Sequence, residues 1–351
     1  MYKQLKEISW NVTEPEYRAD PALSYSTLAR YEREGRFNAL ASLDARIETP
    51  SLTFGSAVDA LITGGQKEFD EQFIVVEFPA ISDTLVTIAR TLFSRFGDKC
   101  ASINEIPENV IAAVGLECGY YTGKNYEAYR VKKILESCSQ YYQLLYIAGD
   151  KKILDTQTAA DVYAAEKALR ESEATRNYFE KDLPFNKDIE HCYQLKFKDE
   201  IDGVPLRCMA DLIIVDHKNK VVYPCDLKTS GHYEYEFYES FVKWRYDIQA
   251  RLYWRLIRMA MDNDDYFRDF TLMDYRFIVV NRRNRFPLVW ECPFTQKKGT
   301  LFFGKSSQIV MRDPIEIATE LYTYLKTRPP VPDGINTTEP NDLERWLHTI
   351  G

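Results

Sequence analysis

The sequence predicts an α/β fold in which helices flank a mixed central sheet and a helical block is inserted into the chain. The first observation is a succession of strand-like segments, at residues 189–199, 205–216 and 220–228. The second is a helix before these segments, and a helix followed by a further strand after them. The third is the helical pattern of residues 66–185. This order of elements is typical of a sheet with helices packed on it.

The N-terminal part of the chain predicts two helices. The first covers residues 22–42, with Ser24 or Ser26 as its N-cap. After a turn, the second helix ends at Gly64 and Gly65. Its apolar residues recur at helical spacing and form one face, made of Phe54, Val58, Leu61 and Ile62.

The three strand-like segments predict an antiparallel arrangement. Asp202 and Gly203 lie between the first two, and the polar residues 217–220 lie between the second and the third. Short polar connections of this kind are typical of hairpins. Residues 66–185, by contrast, are predicted to be a helical insertion.

Further elements follow the third strand-like segment. A long helix is predicted over residues 236–262, a strand over 273–281, a short strand near 287–292 and an amphipathic helix near 308–326. The proline-rich tail, residues 327–351, is expected to be an extended segment.

The composition is that of a globular chain. It has 351 residues, of which 45% are hydrophobic and 28% charged, and these values exclude a disordered or coiled-coil protein. Asp and Glu number 53 against 45 Lys and Arg, which gives a formal net charge of -8. This balance argues against a protein that coats nucleic acid without specificity, although a local basic groove is compatible with it.

Location and metal chemistry are constrained by what the sequence lacks. It has no apolar stretch of the length of a membrane span and no secretory signal, so we expect a cytoplasmic protein without a membrane partner. Seven dispersed cysteines without a CxxC pair predict reduced thiols and neither a disulfide framework nor a zinc site. With four dispersed histidines, a bound metal would be held by oxygen, as Mg²⁺ or Mn²⁺ is.

Two acids and a lysine lie on the second and third predicted strands. Asp226 and Lys228 are two residues apart and project from one face of their strand, and a neighbouring strand can bring Asp211 alongside. Carboxylates can hold a hard divalent cation that activates water for phosphodiester hydrolysis, while an ammonium group offsets negative charge. Acids and lysines are common at strand ends, so this pattern alone is weak. It is strengthened by the apolar residues around both acids and by Gln249 and Tyr253, one turn apart on the next helix.

With these residues the sequence resembles the PD-(D/E)XK nuclease superfamily, and within it the RecB-like and RecE-like exonucleases that phages often encode. Asp211 matches the acid of the family's first acid-bearing strand, with Ala210 where the family often has proline. Residues 226–228 match the (D/E)XK element, and Gln249 with Tyr253 matches the QxxxY helix. The family core is a helix, a three-stranded meander, a helix and a further strand.

The resemblance extends to a helix upstream of these strands. Gly55 and Asp59 have the spacing of a GxxxH-type motif whose last residue reaches the metal, but Asp59 replaces the usual histidine. A carboxylate there would still be a suitable magnesium ligand, and the alternative is a solvated aspartate on a helix face. The resemblance implies that Asp59, Asp211 and Asp226 ligate Mg²⁺ or Mn²⁺, with the backbone carbonyl of Leu227 as a further ligand. An iron–sulfur cluster is not expected, because only Cys292 lies beyond the core.

Several basic side chains are predicted DNA contacts. They are Arg245, Arg251, Arg282, Arg283 and Arg285, and the alternative for the last three is a solvated turn. Gln249 and Tyr253 would either face DNA or brace the sheet.

The resemblance implies a magnesium-dependent deoxyribonuclease, an exonuclease of linear DNA in phage or bacterial recombination and replication. Lys228 would position the attacking water. The implied partners are DNA, a single-strand annealing or recombination protein and further copies of the chain, in the host cytoplasm if a phage encodes it. Residues 1–351 would form one nuclease domain with its core at 22–65 and 186–292. The alternative is a PD-(D/E)XK-fold module that binds DNA or serves assembly without catalysis.

Overall fold

The structure is a computed structural model that describes residues 2–41, 50–77, 81–179, 186–292, 295–296, 299–303 and 307–327. The chain divides into two compact units. We call Met1–Thr63 together with Ala164–Gly351 the sheet unit, and Gly64–Tyr163 the helical unit.

Helices occur in both units. In chain order, the α-helices of the described residues are α1 (Glu14–Ala19), α2 (Tyr25–Ala41), α3 (Pro50–Thr63), α4 (Gly65–Gln72), α5 (Asp83–Phe96), α6 (Glu108–Glu117), α7 (Glu127–Ala148), α8 (Thr156–Glu171), α9 (Phe237–Trp244), α10 (Tyr246–Asp262) and α11 (Pro314–Thr327). Helix α2 is interrupted at Gly35, whose φ of 75° is outside the helical region.

Strands also occur in both units. They are β1 (Phe73–Val76), β2 (Lys152–Asp155), β3 (Ile189–Ile201), β4 (Val204–Asp216), β5 (Val221–Ser230), β6 (Thr271–Leu272), β7 (Arg276–Asn281), β8 (Pro287–Glu291), β9 (Thr300–Phe303) and β10 (Ser307–Val310). The prediction of an α/β fold with a mixed sheet is therefore confirmed.

The central sheet has the strand order β3-β4-β5-β7-β8, with β6 paired to the start of β5. Strand β4 is antiparallel to both β3 and β5, β7 is parallel to β5, and β8 is antiparallel to β7. Asp202 and Gly203, both with positive φ, make the tight turn between β3 and β4. Lys220, with a φ of 55°, precedes β5.

The main core lies where helices α2, α10 and α11 pack together and α10 covers strands β3 and β4. Apolar side chains of the helices and strands meet there at essentially full burial. They include Leu28, Leu206, Ile213, Ile248, Leu256, Phe277 and Leu321.

Two predicted helices differ from the structure. The predicted helix over 236–262 is helical in the structure but divided in two, because α9 and α10 are separated at Arg245, which has left-handed backbone angles of φ 57° and ψ 46°. The predicted helix near 308–326 begins later, at Pro314, and residues 307–310 form β10 instead. Proline is favoured in the first turn of a helix, and the Asp313 side chain accepts a hydrogen bond from the amide of Ile315 at 2.9 Å.

The helical unit has its own core, between α5, α6 and α7. Ile88, Leu92, Ile134 and Tyr142 are fully buried in it. Strands β1 and β2 pair in parallel within this unit, from Phe73 opposite Lys152 to Val76 opposite Asp155. The unit is thus not entirely helical, and it ends at Tyr163, whereas the predicted insertion extends to residue 185.

Other sequence predictions concern smaller features. All seven cysteines are free thiols, five of them buried. No described helix is long and apolar enough to cross a membrane. The predicted extended tail lies almost entirely outside the described residues, which end at residue 327.

The break at Arg245 is stabilised by buried ion pairs. Its guanidinium donates to both carboxylate oxygens of Asp247, at 2.9 and 3.1 Å, and to Glu32 at 3.1 Å. Arg245 is 4% exposed and Asp247 0%, so neither charge can be solvated if its partner is removed.

Asp247→Ala is therefore expected to lower the free energy of unfolding by about 3 kcal/mol, because it leaves a buried guanidinium short of a partner. Urea unfolding followed by circular dichroism measures this loss. The control is Glu14→Ala, which removes the partner of the exposed Arg18 and should cost about 0.5 kcal/mol or less. Equal losses in the two variants would contradict the assigned role of Asp247.

Candidate active site

Strand β5 carries a buried cluster of polar side chains. Asp226 is 1% exposed, and its Oδ1 accepts a hydrogen bond from Gln249 Nε2 of α10 at 2.5 Å. The Nζ of Lys228 contacts Asp226 Oδ2 and lies 4.9 Å from the ring centre of Tyr246. Gln249 is 3% exposed, and its Oε1 has no hydrogen-bond partner among the described residues. The predicted acid, lysine and glutamine are therefore together.

Asp211 lies on β4 where this strand separates from β5. Regular pairing between the two strands ends at Leu212 and Cys225, one residue before Asp211 and Asp226 would meet. The carboxylate of Asp211 instead accepts a hydrogen bond from the backbone amide of Leu227, at 3.0 Å. A hydrogen bond between a backbone amide and a side chain thus takes the place of the backbone-to-backbone hydrogen bonds at this point.

Asp59 reaches the same region from α3. Its Oδ2 accepts a hydrogen bond from Gln194 Nε2 of β3 at 3.0 Å. One turn earlier, a Cβ at Gly55 would lie 3.1 Å from Thr229 Oγ1 of β5, which is tighter than ordinary contact. The absence of a side chain at Gly55 therefore lets α3 lie close to the sheet.

A small cavity of about 10 Å³ lies between α3 and the strands. Asp59, Asp211 and Leu227 contribute to its wall, and the remaining lining residues are Ile62, Thr63, Phe179, Tyr193, Leu212 and Ile278. Such a volume is about that of one water molecule. Asp226 does not line the cavity, because side chains alternate along β5 and Asp226 is directed to α10.

The charges around this cavity repel one another. Burial raises the pKa of Asp211 well above its usual range, and the nearby carboxylates of Asp226 and Asp59 raise it further. Burial alone would lower the pKa of Lys228, but the negative charge of the neighbouring Asp226 outweighs it and the pKa is raised. Burial and the two neighbouring carboxylates therefore both favour the protonated form of Asp211 when no cation is bound.

The donor atoms match a hard divalent cation in chemistry. Asp59 and Asp211 supply carboxylates to one cavity, and Leu227 lies beside them. In the described parts of the chain, however, no three His, Cys, Asp or Glu side chains are grouped closely enough to hold a metal ion as they stand. Asp226 is engaged by Lys228 and Gln249 in this arrangement.

The other predicted site residues are more dispersed. Tyr253, on α10, is 7% exposed and packs edge-on against Tyr25 and Tyr275, with ring centres 6.4 and 6.0 Å away. This placement favours bracing of the sheet over contact with a substrate. Arg251 is 7% exposed and donates to the carbonyl of Arg312 at 2.8 Å.

The buried positions of Arg245 and Arg251 speak against the predicted contact of their guanidinium groups with DNA. Three other predicted DNA contacts lie at the turn between β7 and β8. Arg282 packs over the ring of Phe54, 4.8 Å from its centre, whereas Arg283 and Arg285 are exposed. The next residue, Phe286, is 63% exposed.

Sequence reasoning missed Gln194. This residue donates to Asp59 and has a φ of 54° within β3. The sequence contains no local signal for this role, because Tyr193, Leu195 and Phe197 keep the period of two expected of a strand.

Comparisons with known proteins add little. No family model matches the chain, and no curated protein matches it. A crystal structure of a protein assigned as an exonuclease, from Eubacterium rectale, is similar over 90% of this chain and 85% of that chain, with 12% sequence identity and a TM-score of 0.40. A score this low establishes no common fold.

The raised pKa of Asp211 predicts a pH dependence of stability. The folded state retains a proton at pH values where the unfolded carboxyl has lost it, so stability is lost as the pH rises from the unfolded pKa to the folded one, by about 1.4 kcal/mol per pH unit. Asp211→Asn removes this charge and keeps an acceptor for the amide of Leu227. We expect the variant to unfold at higher urea concentrations than the parent at pH 8 in EDTA, and at similar ones near pH 4.

A suitable control is Asp202→Asn, at an exposed turn where asparagine tolerates the positive φ. Its pH profile should follow that of the parent protein. If Asp211→Asn also retained the parent profile between pH 4 and 8, the assigned protonation of Asp211 would be wrong.

Proposed function

We propose that this protein is a metal-dependent DNA nuclease of the PD-(D/E)XK type, and an exonuclease of linear DNA. The observation that carries the proposal is the meeting of Asp211, Asp226 and Lys228 where β4 and β5 separate, with Asp59 of α3 facing the cavity there. Buried carboxylates that repel one another are costly unless a cation or proton offsets them. Structural packing gives no reason to collect these acids at one place.

Each side chain has a role in this proposal. Asp59 and Asp211, with Asp226, would hold Mg²⁺ or Mn²⁺, and the carbonyl of Leu227 is a further ligand. Bound there, the cation would polarise the phosphate and lower the pKa of a water molecule. Because the pKa of Lys228 is raised, its ammonium group would remain charged, orient the attacking water as a donor and offset negative charge on the phosphate.

Gln249 would hold Asp226 in place through its amide N–H, and its Oε1 is available to accept a hydrogen bond from water. Tyr253 would brace the helix. No iron–sulfur cluster is part of this proposal.

Phosphate contacts would come from the turn between β7 and β8. Arg283, Arg285 and the exposed Phe286 lie just beyond Asn281, which pairs with Ser230 at the end of β5. A charged, partly aromatic surface next to a catalytic strand suits a nucleic-acid backbone. The role in phage or bacterial recombination, a cytoplasmic location, a single-strand annealing protein as partner and self-association stay predictions.

A second candidate function is a DNA-binding or assembly module without catalysis. It is favoured by the engagement of Asp226 with Lys228 and Gln249 and by the lack of a preassembled metal cluster in the described residues. Manganese binding separates the two candidates. The nuclease should bind Mn²⁺ in a way that depends on Asp59 and Asp211, whereas the module should bind DNA without it.

Lys228→Ala is expected to reduce magnesium-dependent degradation of DNA by at least about 100-fold, since it removes the charge that offsets the phosphate. The assay follows end-labelled linear and closed circular duplexes, and an exonuclease should consume the linear one alone. Lys218→Ala, at the exposed turn before β5, serves as the matched control and should retain full activity. Undiminished activity of pure, folded Lys228→Ala would refute the proposed catalytic role.

Loss of Arg283 and Arg285 should weaken DNA binding in a salt-dependent way. The association constant for DNA falls as salt is added, and the plot of log K against log salt has a negative slope. In the double variant Arg283→Ala, Arg285→Ala this slope should become shallower by up to about 2, because each lost phosphate contact contributes about 0.9. Fluorescence anisotropy with a labelled duplex at several salt concentrations measures the slope. The exposed Arg18→Ala is the control, and an unchanged slope in the double variant would remove this turn from the proposed interface.

A further inference from the structure

The alternation of side chains reverses at the same place in β3 and β4. In a regular strand, residues on one face are an even number of positions apart. In β3, Leu195 and Phe197 belong to the main core, and so does Cys192, which is an odd number of positions away. In β4, the same holds for Ala210 and Ile213. In both strands the face directed to the core therefore changes between these residues, while the pairing stays in register, with Tyr193 opposite Leu212 and Leu195 opposite Ala210.

The residues within the reversal face the cavity. Tyr193, Asp211 and Leu212 line it, and Gln194 reaches Asp59, which lines it too. Gln194 and Asp211 lie opposite each other, between the pair Tyr193–Leu212 and the pair Leu195–Ala210. The reversal thus places two consecutive residues of β4, Asp211 and Leu212, on the cavity side.

The backbone of Gln194 accounts for the reversal in β3. Its φ of 54° is left-handed, which is unfavourable for a residue with a Cβ and occurs at functional sites. The other described non-glycine residues with positive φ, namely Tyr121, Asp202, Lys220, Arg245 and Arg285, lie in turns, in loops or between helices. Glycine would adopt this conformation without strain, so a glutamine here needs a gain from its side chain.

That gain is the hydrogen bond to Asp59. Residues that donate to metal-binding carboxylates hold them in one orientation and are required for affinity. We propose that Gln194 is a positioning residue of the candidate site, whose left-handed backbone accompanies the reversal in β3 and whose amide holds the carboxylate of Asp59. The inference rests on the proposed function in assigning the cavity to a metal, but the contact itself is testable without metal.

The first test is a double-mutant cycle in EDTA. Gln194→Ala, Asp59→Ala and the double variant are unfolded with urea, and the single effects are compared with the combined one. A positioning contact predicts non-additive effects. Additive effects would overturn the proposal, whether or not the protein is a nuclease.

The second test separates the backbone from the amide. Gln194→Gly keeps the left-handed backbone and removes the donor, so it should unfold at a higher temperature than Gln194→Ala. It should nevertheless bind Mn²⁺ about 10- to 100-fold more weakly than the parent, measured by electron paramagnetic resonance. Lys220→Gly, at a φ of 55° in an exposed turn, is the matched control and should bind Mn²⁺ as the parent does.

The outcomes distinguish the two proposals. Parent-like Mn²⁺ affinity of Gln194→Gly would show that the amide has no positioning role. If the parent protein bound no Mn²⁺ and cleaved no DNA, the proposed function would fail, and the cycle in EDTA would still decide whether Gln194 positions Asp59.

Discussion

The buried ion pair between Asp226 and Lys228 constrains the elements around it. Two charges in the interior of a sheet are stable only with close partners, because each has lost most of its hydration. Helix α10 supplies one of these partners, the amide of Gln249, and Tyr246 places its ring beside the ammonium group. The first residue of α10 must therefore lie close to β5.

The break at Arg245 follows from this requirement. An unbroken helix would not turn between Trp244 and Tyr246, and the left-handed residue between them allows the change of direction. The strain is compensated by the buried pairs of Arg245 with Asp247 and Glu32. The buried pairs of Arg245 thus lie at the start of the helix that supplies Gln249 to Asp226.

Much of this arrangement could be predicted from the sequence, since it depends on local patterns. Strand-like segments separated by short polar turns identified the strands that carry Asp211 and Asp226, and apolar residues at helical spacing identified the helix that carries Asp59. The junction at Arg245 could not be predicted, because its left-handed angles are stabilised by Glu32, which is distant in sequence. Gln194 was missed for a related reason: its role depends on a contact with a residue 135 positions away. For Arg245 and Arg251, a basic side chain on a helix was read as a surface feature, and tertiary packing buried both.

The cysteines, which are all free, have a practical consequence for chemical labelling. Burial raises the pKa of the Cys138 and Cys225 thiols to about 12, and it raises that of Cys208 as well, so these groups are protonated and shielded from alkylating reagents. The two partly exposed cysteines, Cys100 and Cys118, both belong to the helical unit. A maleimide dye added to the native protein would accordingly report on that unit, without any engineered site.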